Sequence, residues 1–132
     1  MKQKLHAVAI VVPDYDEAIA FYVGVLGFDL VEDTPLTTEK RWVLVAPRGS
    51  NESRLLLAKA ANDRQRDAVG NQSGGRVFLF LHTDDFSRDY AKLVSAGVKF
   101  VREPSPETYG TVAVFEDPFG NLWDLIQPAV AW

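Results

Sequence analysis

Few side chains in this sequence are suited to chemistry, and Asp124 is the most conspicuous. It sits inside the apolar run Leu122-Trp123-Asp124-Leu125-Ile126, just after Asp117-Pro118-Phe119-Gly120-Asn121. Asp is a poor strand former, and burying an unpaired carboxylate costs on the order of several kcal/mol. A carboxylate at this point therefore faces water, accepts hydrogen bonds or holds a cation. The two histidines are His6, near the start of the chain, and His82, just before Thr83-Asp84-Asp85. There the His82 ring is within reach of a helix-capping carboxylate. The sequence has no cysteine, which excludes disulfides, thiolate catalysis and zinc–cysteine sites.

The elements that position these residues are written in the hydrophobic pattern. Leu5 to Val12 is a strand rich in β-branched and small apolar residues, broken by Pro13-Asp14. Asp14, with Glu17 three residues on, reads as a capping box. Ala18, Ile19, Phe21, Tyr22, Val25 and Leu26 follow at helical spacing, and Gly27 stops the helix. Three strands follow at Phe28–Glu32, Arg41–Ala46 and Arg54–Ala60. The order then repeats: a strand at Arg76–Leu81, a helix at Phe86–Ala96 capped by Asp84-Asp85 and ended by Gly97, then strands at Val98–Arg102, Thr111–Glu116 and Leu122–Gln127. A shift of 70 residues brings Asp14 onto Asp84, Gly27 onto Gly97 and Val31 onto Val101.

The fold class this predicts is α+β: two βαβββ modules in one chain, forming a curved mixed sheet around a cleft. Module one covers about 4–60, a polar linker 61–75, and module two about 76–128, within a single domain over 1–132. The linker contains GNQSGG, but a phosphate loop needs a helix N-terminus after it and here a strand follows. Asp117 to Asn121 is a reverse turn, with Pro fixing φ and Gly accepting positive φ, and it sets the register of the last strand.

Composition bounds the function. The chain has 132 residues, 47% hydrophobic and 24% charged, which suits a globular core. Fourteen basic and 18 acidic residues give a formal net charge of -4, and no basic stripe is present. Nucleic acid and anionic membrane are poor partners for such a chain. The apolar run Ala7 to Val12 is too short for a signal segment, and no run reaches membrane-spanning length. A cytoplasmic protein is expected.

Taken together, the residues resemble the vicinal oxygen chelate superfamily, also called the glyoxalase/bleomycin resistance/dioxygenase superfamily. Those carrying the likeness are Asp14, Asp16-Glu17-Ala18, Phe21-Tyr22 and Leu26-Gly27-Phe28 in the first half, and Ala96-Gly97-Val98, Tyr109-Gly110 and Asp117-Pro118-x-Gly120-Asn121 in the second. The resemblance covers essentially the whole chain. It implies a divalent metal in the cleft, held by histidines and carboxylates from the first and last strands of each module and acting as a Lewis acid on adjacent substrate oxygens. The match to that ligand set is partial. Asp124 falls on the last-strand carboxylate position. Leu56 occupies its counterpart in the first module, Ala7 the first-strand histidine position, and Val77 or Phe78 the equivalent in the second module. A cluster of His6, His82 and Asp124 would suit zinc, nickel, manganese or iron(II), provided that a bulge turns His6 inward.

Two functions follow from the resemblance and a third from caution about fold. The first is a glyoxalase-like small-molecule enzyme of the lyase, isomerase or dioxygenase type, with Asp124 catalytic as metal ligand or general base. The second is a metal-free protein of the bleomycin-resistance kind that sequesters a drug or other small ligand against Trp42, Phe78, Phe80, Tyr109, Phe115 and Trp123. The third is an interaction domain with no ligand. The exposed antiparallel edges favour a homodimer.

Overall fold

The structure, a computed structural model, describes residues 1–131. The chain divides into two compact units, Met1–Val69 and the remainder from Gly70. Each has the predicted βαβββ order around a four-stranded mixed sheet.

In the first unit, β1 (Ala7–Val12) leads through Pro13 into α1 (Tyr15–Ile19), whose N-cap Asp14 accepts the Glu17 N–H. The apolar stripe continues past Ile19, but Ala20–Val25 winds as a π-helix. The widened turn seats Phe21 and Tyr22 in the core, with their rings edge to face at 5.0 Å and Phe28 6.0 Å beyond Tyr22. Strands β2 (Asp29–Pro35), β3 (Arg41–Ala46) and β4 (Arg54–Lys59) complete a sheet ordered β1-β4-β3-β2, with β1 and β4 parallel. One face packs under the helix. Ile10, Leu57 and Val43 form a buried cross-strand row on it, and Arg41 reaches from it to Asp16 of α1. Ala9, Leu56, Leu44 and Glu32 form a row on the opposite, helix-free face.

The segment expected to be a plain polar linker carries a short helix, α2 (Asp63–Ala68). Its start is written in side chains: Asn62 accepts the Gln65 N–H, and the Gln65 side chain accepts the Ala61 N–H, a reciprocal cap.

In the second unit, β5 (Val77–His82), α3 (Phe86–Ser95), β6 (Lys99–Glu107), β7 (Gly110–Glu116) and β8 (Leu122–Pro128) repeat the plan, in sheet order β5-β8-β7-β6. Asp85 is the helix cap and accepts the Arg88 N–H. An aromatic chain runs from the helix into the sheet: Phe86 on Tyr90, Tyr90 on Phe100, Phe100 on Phe115, and Phe115 stacked on Trp123. The repeat extends to defects. The β2–β3 register shifts between Leu30 and Glu32, and the β6–β7 register shifts between Phe100 and Arg102. Val31 and Val101 are thus equivalent bulge residues in the two units. Gly110, at φ 147, opens β7 so close to β8 that a Cβ would lie 2.2 Å from the Gln127 carbonyl oxygen.

Candidate functional site

The Asp117–Asn121 turn is locked from inside. One Asp117 carboxylate oxygen accepts the backbone N–H groups of Phe119 (3.0 Å) and Asn121 (2.8 Å), and the other accepts the Asn121 side-chain amide (2.7 Å). Asp117 is 3% exposed and Asn121 2%. Against the outside of the turn lies Gly70, where a Cβ would come within 1.9 Å of the Phe119 carbonyl oxygen. This packing fixes where β8 starts, and hence the face on which Asp124 emerges.

The register places Asp124 on the helix-free face. Phe80, Asp124, Val114 and Arg102 form one row across β5, β8, β7 and β6. At strand spacings of about 4.8 Å, the row runs roughly 14 Å. Phe80 is 63% exposed, and Asp124 is half-buried. Burial pushes the Asp124 carboxyl above its ordinary range, and the Arg102 guanidinium pulls partly the other way. No hydrogen bond within the chain reaches that carboxylate among the described residues. Arg41 is held elsewhere, by Asp33 (2.7 Å) and Asp16 (2.8 Å).

The other predicted site residues divide. His82 pairs with Ile126, two positions along from the Phe80–Asp124 pair, and so shares the Asp124 face. An irregularity in β5 between Val77 and Leu79 puts Val77 opposite Leu122 and makes Phe78 the extra residue, without moving Phe80 or His82 off that face. His6 precedes β1. That strand pairs with β4 in unbroken register from Ala7 to Val12, so the bulge needed to turn His6 to the Ala7 side is absent. Tyr109 is exposed in the turn between β6 and β7. Trp42 is exposed on the helix-free face of the first unit, in alternation with Leu44. Phe115 was expected as a ligand wall and is instead core, 0% exposed. It pairs with Trp123, whose side chain points to the helix face because it adjoins Asp124 in the strand.

The donors do not suit a divalent metal. Ala7, Leu56 and either Val77 or Phe78 stand at three of the four ligand positions that the resemblance implies, and none carries a donor atom there. Among the described residues, no three or more His, Cys, Asp or Glu side chains are gathered to hold an ion. His6, His82 and Asp124 therefore do not make up the expected cluster.

Comparison with known proteins agrees with the fold. The model of the Glyoxalase/Bleomycin resistance protein/Dioxygenase superfamily matches residues 4–125, and the chain belongs to that superfamily. A protein of Shewanella frigidimarina (strain NCIMB 400), described as uncharacterized, is 61% identical over 96% of this chain and 95% of its own length. The crystal structure of UcmS2 is 34% identical with a TM-score of 0.83, over 96% of this chain and 98% of that one. That of TnmS3, an antibiotic binding protein from Streptomyces sp. CB03234, is 32% identical with a TM-score of 0.76, over 98% of both chains. No helix among the described residues is long and apolar enough to cross a membrane.

Proposed function

We propose that this protein binds a small planar ligand without a metal, in the manner of a drug- or antibiotic-sequestering protein, and that it is not a metal-dependent lyase or dioxygenase. The observation that carries the reading is the replacement of donors by Ala7, Leu56 and Phe78 or Val77, which leaves Asp124 alone among the implied ligands. What the second unit offers in their place is an exposed aromatic ring, Phe80, directly beside a half-buried carboxylate with no hydrogen-bond partner among the described residues. A flat ring stacks on Phe80, and an N–H or O–H of the ligand donates to Asp124, giving contact area and orientation together. The likeness to an antibiotic binding protein supports this reading. A homodimer in the cytoplasm is part of the same proposal: edge strands β2 and β6 keep Leu30, Val31 and Val101 exposed, as surfaces awaiting a partner do. Sedimentation equilibrium is expected to give twice the chain mass.

The test is a screen of planar aromatic compounds, followed by tryptophan fluorescence, on protein dialysed against chelator. Saturable binding that chelator leaves unchanged, and that weakens about tenfold in Phe80→Ala, is the expected result. Binding or turnover that appears only with an added divalent ion would refute the proposal and restore the metalloenzyme.

A further inference from the structure

The first unit holds an unused charge. Arg54 opens β4 on the helix-free face, paired with Ala7 of β1 and two residues before Leu56. Among the described residues, every other lysine and arginine either forms an ion pair or stands exposed. Arg54 is half-buried and forms none, and its Nε is buried with no acceptor. A buried donor left unmet is destabilising, and a guanidinium cannot shed its charge. The neighbour across the strands is a methyl group, so the guanidinium meets no bulky side chain from β1. Among the described residues, no acceptor answers that Nε.

We propose that Arg54 is a ligand-recognition residue that takes an anionic pair of oxygens, a carboxylate on an aromatic ligand, in its guanidinium fork. Two parallel N–H groups match two carboxylate oxygens in one plane, a geometry that also fixes the ligand's orientation. The positions beside Arg54 are those at which the superfamily resemblance implies metal ligands, here Ala7 and Leu56. In this chain the fixed positive charge on that face belongs to an arginine and not to an ion. The ligand class that this face of the first unit would take is accordingly an aromatic acid. The inference rests on the ligand-binding reading above, and its test separates the two.

The probes are anthraquinone-2-carboxylate and its uncharged hydroxymethyl analogue, titrated in chelator by quenching of tryptophan fluorescence. Trp42, exposed on the same face, is the reporter. The wild-type protein is expected to bind the acid at least tenfold more tightly than the alcohol. Arg54→Gln is expected to abolish that preference while leaving the alcohol's affinity within about twofold. Arg54→Lys keeps the charge without the fork and is expected to keep only part of the preference; it also serves should Arg54→Gln fail to fold. Equal affinity of the wild type for acid and alcohol, or an unchanged preference in either variant, overturns the assignment to Arg54 and leaves the binding reading standing. No binding of either compound to wild type overturns both.

Discussion

Removing the Asp117 carboxylate tests how β8 is held in place. The Asp117→Ala substitution strips two backbone N–H groups and one side-chain amide of the acceptor they share, in a turn whose two polar residues are almost fully buried. Each buried donor left unmet costs about 1–3 kcal/mol. The Asn121 side chain is itself buried, so three donors lose their acceptor, and at the low end of that range the cost is about 3 kcal/mol. For a chain of this size that corresponds to a fall in Tm of roughly 10 °C. Urea denaturation followed by circular dichroism measures it, with an unchanged slope showing that the unfolded state is not altered. Because Asp117 and Asn121 share a hydrogen bond, Asp117→Ala combined with Asn121→Ala should cost less than the two singles added, by about 1 kcal/mol or more. A single-variant cost below about 1 kcal/mol, or strict additivity, would refute the claim that this turn is the lock on β8.

Asp124 has a carboxyl raised by burial, so the folded state binds the proton more strongly than the unfolded chain; stability contributed by this group is greatest below the unfolded carboxyl range and falls as pH rises through the folded pKa. Asp124→Asn should therefore raise the denaturation midpoint at pH 7 and bring no gain near pH 3; a destabilised variant at pH 7 would contradict that sign. Asp33 is the opposite case, its carboxyl lowered by the hydrogen bond from Arg41, so that stability is present above the unfolded carboxyl range and lost as pH falls through the folded pKa. Arg41→Ala should cost about 1 kcal/mol at pH 7, as suits partly exposed pairs, with the difference shrinking in acid. Gly110→Ala, whose new methyl would meet the Gln127 carbonyl, should lower the thermal midpoint clearly and disturb the amide signals of both β7 and β8.

The features legible in the sequence were local and chemically marked. Asp14, Asp85 and the Asp117–Asn121 turn announce themselves by residue type, and each makes the hydrogen bonds its type implies. The 70-residue repeat was legible from caps and glycines, and it holds even for the bulges at Val31 and Val101, which no residue type marks. The π-helical turn over Ala20–Val25 was not legible, because a π turn and an α turn place apolar residues at nearly the same spacing. Helix α2 reads as linker because its stripe is polar, although Asn62 and Gln65 carry a capping signal. Strand parity was the neglected clue at the site. Phe115 pairs with Trp123, one step from Asp124, and that alone assigns it to the helix face and the core. Arg54 was missed for a related reason. Its parity with Leu56 was readable, but that its Nε is buried with no acceptor among the described residues is a tertiary fact.

The central claim is that this member of the superfamily works without a metal, and metal content per chain tests it most directly. Protein purified without a histidine tag would be incubated with zinc, nickel, manganese and iron(II), passed through a desalting column and analysed by mass spectrometry. The donor set of the two units predicts far less than one divalent ion per chain, with no difference between wild type and Asp124→Ala. About one ion per chain in the wild type, lost in Asp124→Ala, would contradict the account.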